Sequence, residues 1–570
     1  MMERVYETDI LIVGAGSSGL WAAHSIKQKD KDVKVLVVDR GPENWGGLMS
    51  CAGGDLDILM PSEDIQDWVK DWVYYYDGLC DQELMETLFK DTYSVLQQYE
   101  EWGCEYLRDA EGNMETVGVP QRGLDNIKLY VTKQKGSGGL RMVSALVKSN
   151  TAAGVESIGH VMLTDLLKDK TGRIIGAIGF DTVDGTFIKI KTKAVLMATG
   201  MGGWKSNYMK NPNTGDGIAM AFRAGAEIRN MEFGRVWNVP KLFAWEGQTT
   251  LLPLGARFVN AKGENFMERY SKTLGSNTDP HYNTIGMAME MRAGRGPIYM
   301  DTSGLKPEDA AVIKPKLGWQ YINYNRLKDD CGIDFFEQKT EWMPQLLACY
   351  GGLVADLDGA TRVPGLYAAG RCRSVDPGVY TGGFALASTA TSGKIAGAAM
   401  VDYIQGLQLA EFDNEEVNAL KEKIYAPLKG TGIASKEVLR AIQGIVYPYE
   451  VSIIKSEKSL RNALHKIETL RDELLPQMGA ADAHYLMKLK EVEAIAFITE
   501  WYIRASLERK ESRCGHYRED YPDHDDNWLK WIVIGMENGS PEIHTVDVPI
   551  ETYKHPIERY YQDNFKFTEE

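Results

Sequence analysis

An apolar run, Ile10-Leu-Ile-Val13, breaks into Gly14-Ala-Gly16-Ser-Ser-Gly19, and a second run, Val33 to Val38, ends in Asp39. Apolar runs of this length, bounded by glycine and separated by a helical segment, predict strand, tight turn, helix and strand over residues 9 to 39. Residues 64 to 105 place aromatic and apolar side chains at turn spacing and predict helices, and Gly138-Gly139-Leu-Arg-Met-Val opens another. Val161 to Leu167, Ile174 to Phe180 and Phe187 to Ile190 are separated by Lys-Thr-Gly and Asp-Gly turns, the pattern of a β meander. The strand Ala194-Val-Leu-Met-Ala198-Thr199-Gly200 is expected beside the first one. Residues 236 to 350, rich in Trp, Tyr, Pro and Asn, lose this alternation and predict an inserted cap. Pro364-Gly-Leu-Tyr-Ala-Ala-Gly370 restores the buried-strand pattern, and Gly382-Gly383-Phe-Ala-Leu-Ala begins a helix of small residues. Asn414 to Lys510 reads as a helical bundle, with Leu486, Leu489, Val492, Ala496 and Ile503 on one face of a helix from Ala481 to Lys510. Residues 525 to 570 read as a tail with one β-like piece, Trp531 to Gly535.

The opening pattern carries a chemical meaning. A glycine at 14 allows the sharp turn, one at 16 lets a pyrophosphate approach the backbone, and one at 19 lets helix and strand pack closely. The helix N-terminus then faces the phosphates, and Asp39 stands where a ribose diol would donate to it. Glycine-rich Gly46-Gly47-Leu-Met-Ser50-Cys-Ala-Gly53-Gly54 lets backbone touch a flat ligand.

Composition narrows the partners. At 570 residues the chain is long enough for three or four domains. Its formal net charge of -16 argues against nucleic acid or an anionic membrane surface. No signal-type segment and no run of 18 apolar residues occurs, so a cytoplasmic protein without a transmembrane segment is expected. The seven cysteines, at 51, 80, 104, 331, 349, 372 and 514, show no Cys-x-x-Cys and no cluster spacing, and the nine histidines are equally dispersed. No metal, iron–sulfur or haem site is expected within the chain.

The glycine fingerprint at the N-terminus, Ala198-Thr-Gly200 and Gly365-Leu-Tyr-Ala-Ala-Gly370 together make a three-point clamp typical of FAD proteins. With Thr214-Gly-Asp216-Gly217, Met231-Glu-Phe233, Asn265-Phe-Met-Glu-Arg-Tyr270 and Glu511-Ser-Arg513 through His516, Arg518, Asp520, Tyr521 and Pro522, the chain resembles the flavoprotein family of succinate dehydrogenase, fumarate reductase, L-aspartate oxidase and the adenylylsulfate reductase α subunit. Glu290-Met-Arg-Ala-Gly-Arg-Gly-Pro-Ile-Tyr-Met-Asp301 and Val239-Pro240 are most similar to the adenylylsulfate reductase branch. The resemblance implies an α/β fold with a Rossmann-like, glutathione-reductase-like FAD-binding domain (1–235 and 351–412), an inserted α+β capping domain (236–350), a C-terminal helical bundle (413–524) and a tail (525–570). It implies FAD held by Gly14, Ala15, Gly16, Ser17, Ser18, Gly19, Asp39, Arg40, Gly46, Gly47, Ser50, Gly53, Gly54, Leu163, Ala198, Thr199, Gly200, Asp216, Gly370, Arg371, Ala385 and Leu386. The family's flavin-linking histidine falls at Gly47, so the cofactor is expected to be non-covalent.

Departures from the family shape the expected chemistry. Trp237 and Leu347 stand in place of two histidines, and Thr381 in place of an arginine, that read dicarboxylates, which makes fumarate and succinate poor candidates. The proton-donating arginine aligns with His281, whose ordinary pKa suits acid–base work; a hydrogen-bonding surface histidine is the plainer alternative. Tyr282, Tyr380 and Lys241, the last beside the missing sulfate-nucleotide arginine at Leu242, complete the candidate catalytic set with Trp237. Trp237, Phe243, Trp245 and Tyr380 either line a flat pocket over the flavin or fill the cap's core. The Glu511 to Pro522 motif is expected to be architectural. The leading expectation is hydride transfer between flavin N5 and a small-molecule substrate, at an activated C=C bond, with electrons exchanged through a ferredoxin-like iron–sulfur partner. Sulfur chemistry through a flavin–sulfite adduct and a non-catalytic electron conduit are the alternatives.

Overall fold

The computed structural model of the chain describes residues 2–115, 123–130, 138–206, 211–241, 251–306, 328–334, 336–379 and 381–567. Its nucleotide half is built on strand β1 (Ile10–Val13), helix α1 (Ser17–Lys29), β2 (Val35–Val38), β3 (Glu156–Ile158), β4 (Ala194–Met197), β5 (Leu366–Ala368) and helix α2 (Phe384–Tyr403). The five strands form one parallel sheet in the order β5-β4-β1-β2-β3, with Ile10 opposite both Ala194 and Val35. The strands are apolar on both faces because both are covered: α1 and α2 pack on the face of Ile10, Ile12 and Val35, and Leu11, Val13, Leu36, Val195 and Met197 on the other face share a core with Ile174, Ala177, Ile188 and Ile190 of the meander. Ile10, Ile12, Val35, Val37 and Leu196 meet Ala22, Ala23, Ile26, Ala396 and Met400 in one buried cluster. Each fully buried Val, Ile or Leu there contributes about 1.5–3 kcal/mol of burial free energy.

Small residues decide how closely α1 and α2 lie. A Cβ on Gly393 would sit 2.2 Å from the Ser18 carbonyl oxygen, and one on Gly397 2.5 Å from that of Ala22. The run of Ala, Ser, Thr and Gly in α2 is therefore a packing requirement.

The meander forms a second sheet in the order Glu3–Glu7, Phe187–Lys191, Ile174–Asp181, Val161–Lys168. In the cap, Gly202–Gly203, Thr340–Cys349, Ile298–Asp301 and Arg257–Val259 pair in that order, and Gly234–Pro240 runs antiparallel to Thr340–Cys349. The register between those last two shifts between Arg235 and Val236, where Arg235 faces Ala348 and Val236 faces Leu346, leaving Leu347 as the extra residue of a bulge. The helix expected at 481–510 spans Ala483–Glu508. No helix among the described residues is long and apolar enough to cross a membrane.

The tail is more than one β-like piece. Lys530–Glu537 and Ser540–Asp547 form a hairpin that extends the pair Ile228–Arg229 and Gly352–Leu353. The second hairpin strand is largely exposed and polar, so it offers no apolar alternation to read.

The Glu511 to Pro522 motif ties these parts together through buried charge. Arg509 donates Nε to Glu232 (2.9 Å) and Nη1 to Glu511 (2.7 Å), while Arg513 grips Glu511 and donates to the Asp77 carbonyl (2.6 Å). Arg518 forks onto Asp520 at 2.7 and 2.8 Å. Lys455 donates to the Glu232 carbonyl, Ser506 and His516 Nδ1 at 2.8, 3.0 and 3.0 Å. Burial pushes the Lys455 amine down to about 7, and it pushes His516, beside Lys455, Arg509 and Arg518, well below the usual imidazole range.

Candidate active site

The C-terminal ends of β1, β2 and β4 open onto a cavity of about 560 Å³. At its centre is the first glycine turn. Gly14 has φ +109°, and a Cβ there would lie 2.4 Å from the Ala198 carbonyl oxygen. A Cβ on Gly16 would meet nothing within 4 Å, so this residue leaves open space against the backbone. The N-terminus of α1 follows at once, with no side chain capping it, and its amides are available to an anion. The N-terminus of the 20-residue α2, again uncapped by any side chain, reaches the same cavity through Gly382, Gly383, Ala385 and Leu386.

One end is built for a ribose. Asp39 accepts from the amides of Ala15 (2.8 Å) and Gly41 (2.6 Å), which fixes its carboxylate at the tip of β2. Arg40 beside it donates to Thr214 (2.9 Å) and Asp216 (3.2 Å) and pairs with Glu491 (3.1 Å), which also holds Lys205 at 2.8 Å. Burial raises the Glu491 carboxyl, but Arg40, Lys205 and Lys488 outweigh it and hold it below the usual range. Met487, Lys488 and Glu491 come from the helix Ala483–Glu508, so the helical region supplies part of the wall.

Another part of the wall is aromatic and cationic. Trp237, 2% exposed, and Arg235, 6% exposed, line it from the strand Gly234–Pro240, two residues apart on one face, with the guanidinium 5.0 Å from the indole ring. Arg371 lines the same part, its Nη1 2.5 Å from the fully buried Asp376 and its guanidinium 5.1 Å from the ring of Tyr350. The Tyr350 hydroxyl is buried and finds no hydrogen-bond partner among the described residues. Leu347 packs with Trp237, Val239 and Met343 in a small apolar cluster, and Thr381 donates to Asp57 at 3.0 Å.

Of the expected cofactor residues, Gly14, Gly16, Ser17, Ser18, Asp39 and Arg40 line the cavity, as do Gly47, Gly53, Gly54 and Leu163. Ala198, Thr199, Gly200, Asp216, Arg371, Ala385 and Leu386 line it as well. Five stand behind the wall. The Ala15 amide orients Asp39, Ser50 donates to the Gly47 carbonyl at 2.7 Å, and Gly46 turns the chain at φ +79°. Gly19 and Gly370 permit close packing, since a Cβ would come within 2.0 Å of the Gly14 carbonyl oxygen and 2.4 Å of Ser18 Oγ respectively.

The expected catalytic set divides differently. Trp237 is in the cavity. His281 is not: it is 0% exposed, with Nδ1 2.6 Å from Asp279 and Nε2 3.1 Å from the Gly234 carbonyl, behind the strand that carries Arg235. Tyr75 donates to the other oxygen of Asp279, and the ring of His281 lies 6.1 Å from that of Tyr350. Tyr282 is buried against Phe565 (ring centroids 4.0 Å) and donates to Asp77 at 3.2 Å, and Lys241 sits on the surface paired with Glu341 at 2.8 Å. Both are absent from the cavity wall. They neighbour the aligned positions His281 and Leu242 in sequence, and packing directs their side chains elsewhere. Tyr380, Phe243 and Trp245 lie outside the described residues. Arg235, a wall residue, lies outside the expected catalytic set; its signal is spacing, because a side chain two residues from Trp237 on a strand shares its face. It also missed Met487, Lys488 and Glu491, which no local pattern marks.

A parallel sheet with an open glycine turn, a fixed carboxylate at a strand tip and two helix N-termini on one cavity defines a dinucleotide-binding protein. The backbone around Gly16 leaves the room that a pyrophosphate needs, so the residues present fit the cofactor. The FAD binding domain family matches residues 9–389, and the fumarate reductase flavoprotein C-terminal family matches 444–561. The chain belongs to the succinate dehydrogenase/fumarate reductase flavoprotein family and is an FAD-dependent oxidoreductase of that type. One subunit of the CoM/CoB fumarate reductase of Methanothermobacter marburgensis is 26% identical over 94% of this chain and 98% of its own. The fumarate reductase flavoprotein subunit of Haemophilus influenzae is 26% identical over 98% and 97%. Among solved structures, the quinol fumarate reductase of E. coli superposes with a TM-score of 0.85 at 21% identity over 97% of this chain and 98% of that one. Adenosine-5-phosphosulfate reductase with a covalent sulfite adduct gives 0.80 at 22% over 98% and 97%.

Proposed function

We propose that the chain is the flavoprotein of a reductase or dehydrogenase that moves a hydride between flavin N5 and an activated C=C bond of a small organic substrate other than fumarate. One observation carries this reading. The cavity wall presents Trp237, Arg235 and Arg371, while Leu347 is packed in an apolar cluster and Thr381 is bonded to Asp57. A dicarboxylate needs charged or donor partners at both ends, and one end here has none of the expected ones among the described residues.

When bound, FAD supplies the two-electron chemistry. The chain supplies orientation and an ordered, partly water-free surrounding. Gly16 and the amides opening α1 would hold the phosphates, Asp39 would hold the ribose, and the uncapped amides opening α2 would give the bound cofactor further donors. Trp237 offers a flat face to the substrate, and Arg235 and Arg371 fix its charged group. His281 acts as a positioning residue: clamped by Asp279, it donates to the Gly234 carbonyl and so holds the strand from which Arg235 and Trp237 project. With His281 and Tyr282 held away from the cavity, the proton that completes reduction at carbon falls to Tyr380. Electrons are exchanged through an iron–sulfur partner. Among the described residues no group of three or more His, Cys, Asp or Glu could hold a metal ion, and the relatives above are themselves named as subunits.

The test is reoxidation of the chemically reduced holoprotein under anaerobic conditions. Enoate substrates are expected to restore the oxidised flavin spectrum and fumarate to leave it reduced. Rapid reoxidation by fumarate would overturn the reading.

A further inference from the structure

A second cavity, of about 320 Å³, is walled by the helix Pro280–Arg292 and by the segments 512–524 and 562–567, and it shares no wall residue with the cofactor cavity. Two buried polar atoms of its wall residues have no hydrogen-bond partner among the described residues. His516, 1% exposed, accepts from Lys455 Nζ at Nδ1 (3.0 Å), and its Nε2 meets nothing. An ammonium at Lys455 has only protons to give, so the neutral imidazole carries its own proton on Nε2, where it is an unmet donor. Gln562 donates Nε2 to the Pro522 carbonyl at 3.2 Å, which leaves Oε1 a buried, unmet acceptor. Buried polar atoms are nearly always paired, so an unmet donor and an unmet acceptor on one cavity wall call for a partner inside it.

Much of the remaining wall is aromatic and flat. Tyr282 and Phe565 stack 4.0 Å apart with 9° between their planes, Phe567 is parallel to Phe565 within 1°, and Tyr517 meets Phe567 at 71°. The charges on the wall are already answered. Arg513 gives its protons to Glu511 and to the carbonyls of Asp77 and Asp525, and His524 pairs with Asp563 at 3.1 Å. Lys566 and Asp523, of opposite sign, are exposed to solvent. An ionised ligand would lose its hydration here without a buried counter-charge to replace it. We infer that this cavity is a second small-molecule site, for a neutral planar aromatic ligand that carries a primary amide or an amide-like ring edge. Such an edge sets an acceptor beside a donor: the acceptor takes the proton of His516 Nε2, the donor meets Gln562 Oε1, and the ring lies along the parallel aromatic planes. The site stands apart from the flavin and does not depend on which bond the flavin reduces.

The test is isothermal titration of the FAD-loaded holoprotein with benzamide, benzoate and toluene. Benzamide is expected to bind, with benzoate and toluene weaker by about tenfold or more, because the carboxylate has no donor for Gln562 and toluene has neither group. Gln562→Met keeps the length of the side chain but removes the acceptor, and should weaken benzamide about tenfold; His516→Phe removes the donor and should weaken it at least as much. Bound FAD in each variant reports that the fold is retained, and should His516→Phe fail to retain it, Gln562→Met decides alone. No binding of benzamide would overturn the inference, since the cavity would then hold water only. Benzoate or toluene binding as tightly as benzamide would overturn it too, as would benzamide affinity unchanged in Gln562→Met, which would place the ligand elsewhere on the molecule.

Discussion

Two arginine clusters in this molecule have opposite logic. Arg509, Arg513 and Arg518 are fully buried, and each is met by a carboxylate, Glu232, Glu511 or Asp520, and by backbone carbonyls. Arg235 and Arg371 stand at the wall of a cavity with an aromatic ring beside each, and the buried Asp376 stands behind Arg371. The first cluster is closed and joins the start of the cap strand, the residue-77 loop, the long C-terminal helix and the tail. The second is open toward the space where a ligand lies. Arginine content therefore says little about function; where the compensating charge sits says much.

The difference is broken most severely at Glu511. Glu511→Ala leaves Arg509 and Arg513 buried without their shared carboxylate and should cost about 3–5 kcal/mol of stability, read by chemical denaturation of the holoprotein. Arg235→Gln, by contrast, should change stability by less than about 1 kcal/mol, since a cavity wall tolerates the change. Equal losses at the two sites would erase the distinction.

Next in size is the cofactor turn. Gly16→Leu places a side chain in open space, so the chain should fold yet come off purification colourless. Gly14→Ala should impair folding itself, because its Cβ meets the Ala198 carbonyl oxygen at a backbone angle that alanine resists. A yellow Gly16→Leu protein would move the pyrophosphate elsewhere.

His281→Gln should lower stability by about 1–3 kcal/mol, as the buried Asp279 loses one of its hydrogen-bond partners, while flavin remains bound and turnover falls only a few-fold. A loss of turnover by about a thousandfold, the size expected when a general acid is removed, would return His281 to the chemistry.

The smallest effect is one of pH. The Lys455 amine, lowered to about 7 in the folded chain, is ordinarily protonated up to about 10.5 when unfolded. Between those values the unfolded state binds more protons, so stability rises with pH across the window. The Tm of the wild-type protein relative to Lys455→Met should therefore increase from pH 7 to pH 10; a flat difference would show that Lys455 keeps its charge.

The nucleotide half was legible because sterics dictate its sequence. Gly14, Gly16 and Gly19 each answer a specific clearance, and the apolar runs of β1, β2 and β4 have no other use in a sheet covered on both faces. The motif at 511–522 was legible as architecture, since charged residues so dense survive burial only when paired. The substrate end was read only in part. Alignment brought His281 to the place of a proton donor, but its ring is turned by Asp279 toward the Gly234 carbonyl, a direction that no spacing encodes. Arg235 stands outside the expected catalytic set although it shares a strand face with Trp237, and Met487, Lys488 and Glu491 reach the cavity from the C-terminal helical region through tertiary packing alone.

The most direct measurement is the absorption spectrum of the purified protein before and after denaturation. FAD equimolar with the chain, visible as an oxidised flavin spectrum and released entirely into solution on unfolding, is the result expected of a cavity with Gly47 at the position of the family's linking histidine. A folded protein that is colourless and takes up no FAD, or one whose flavin stays attached to the unfolded chain, would contradict it.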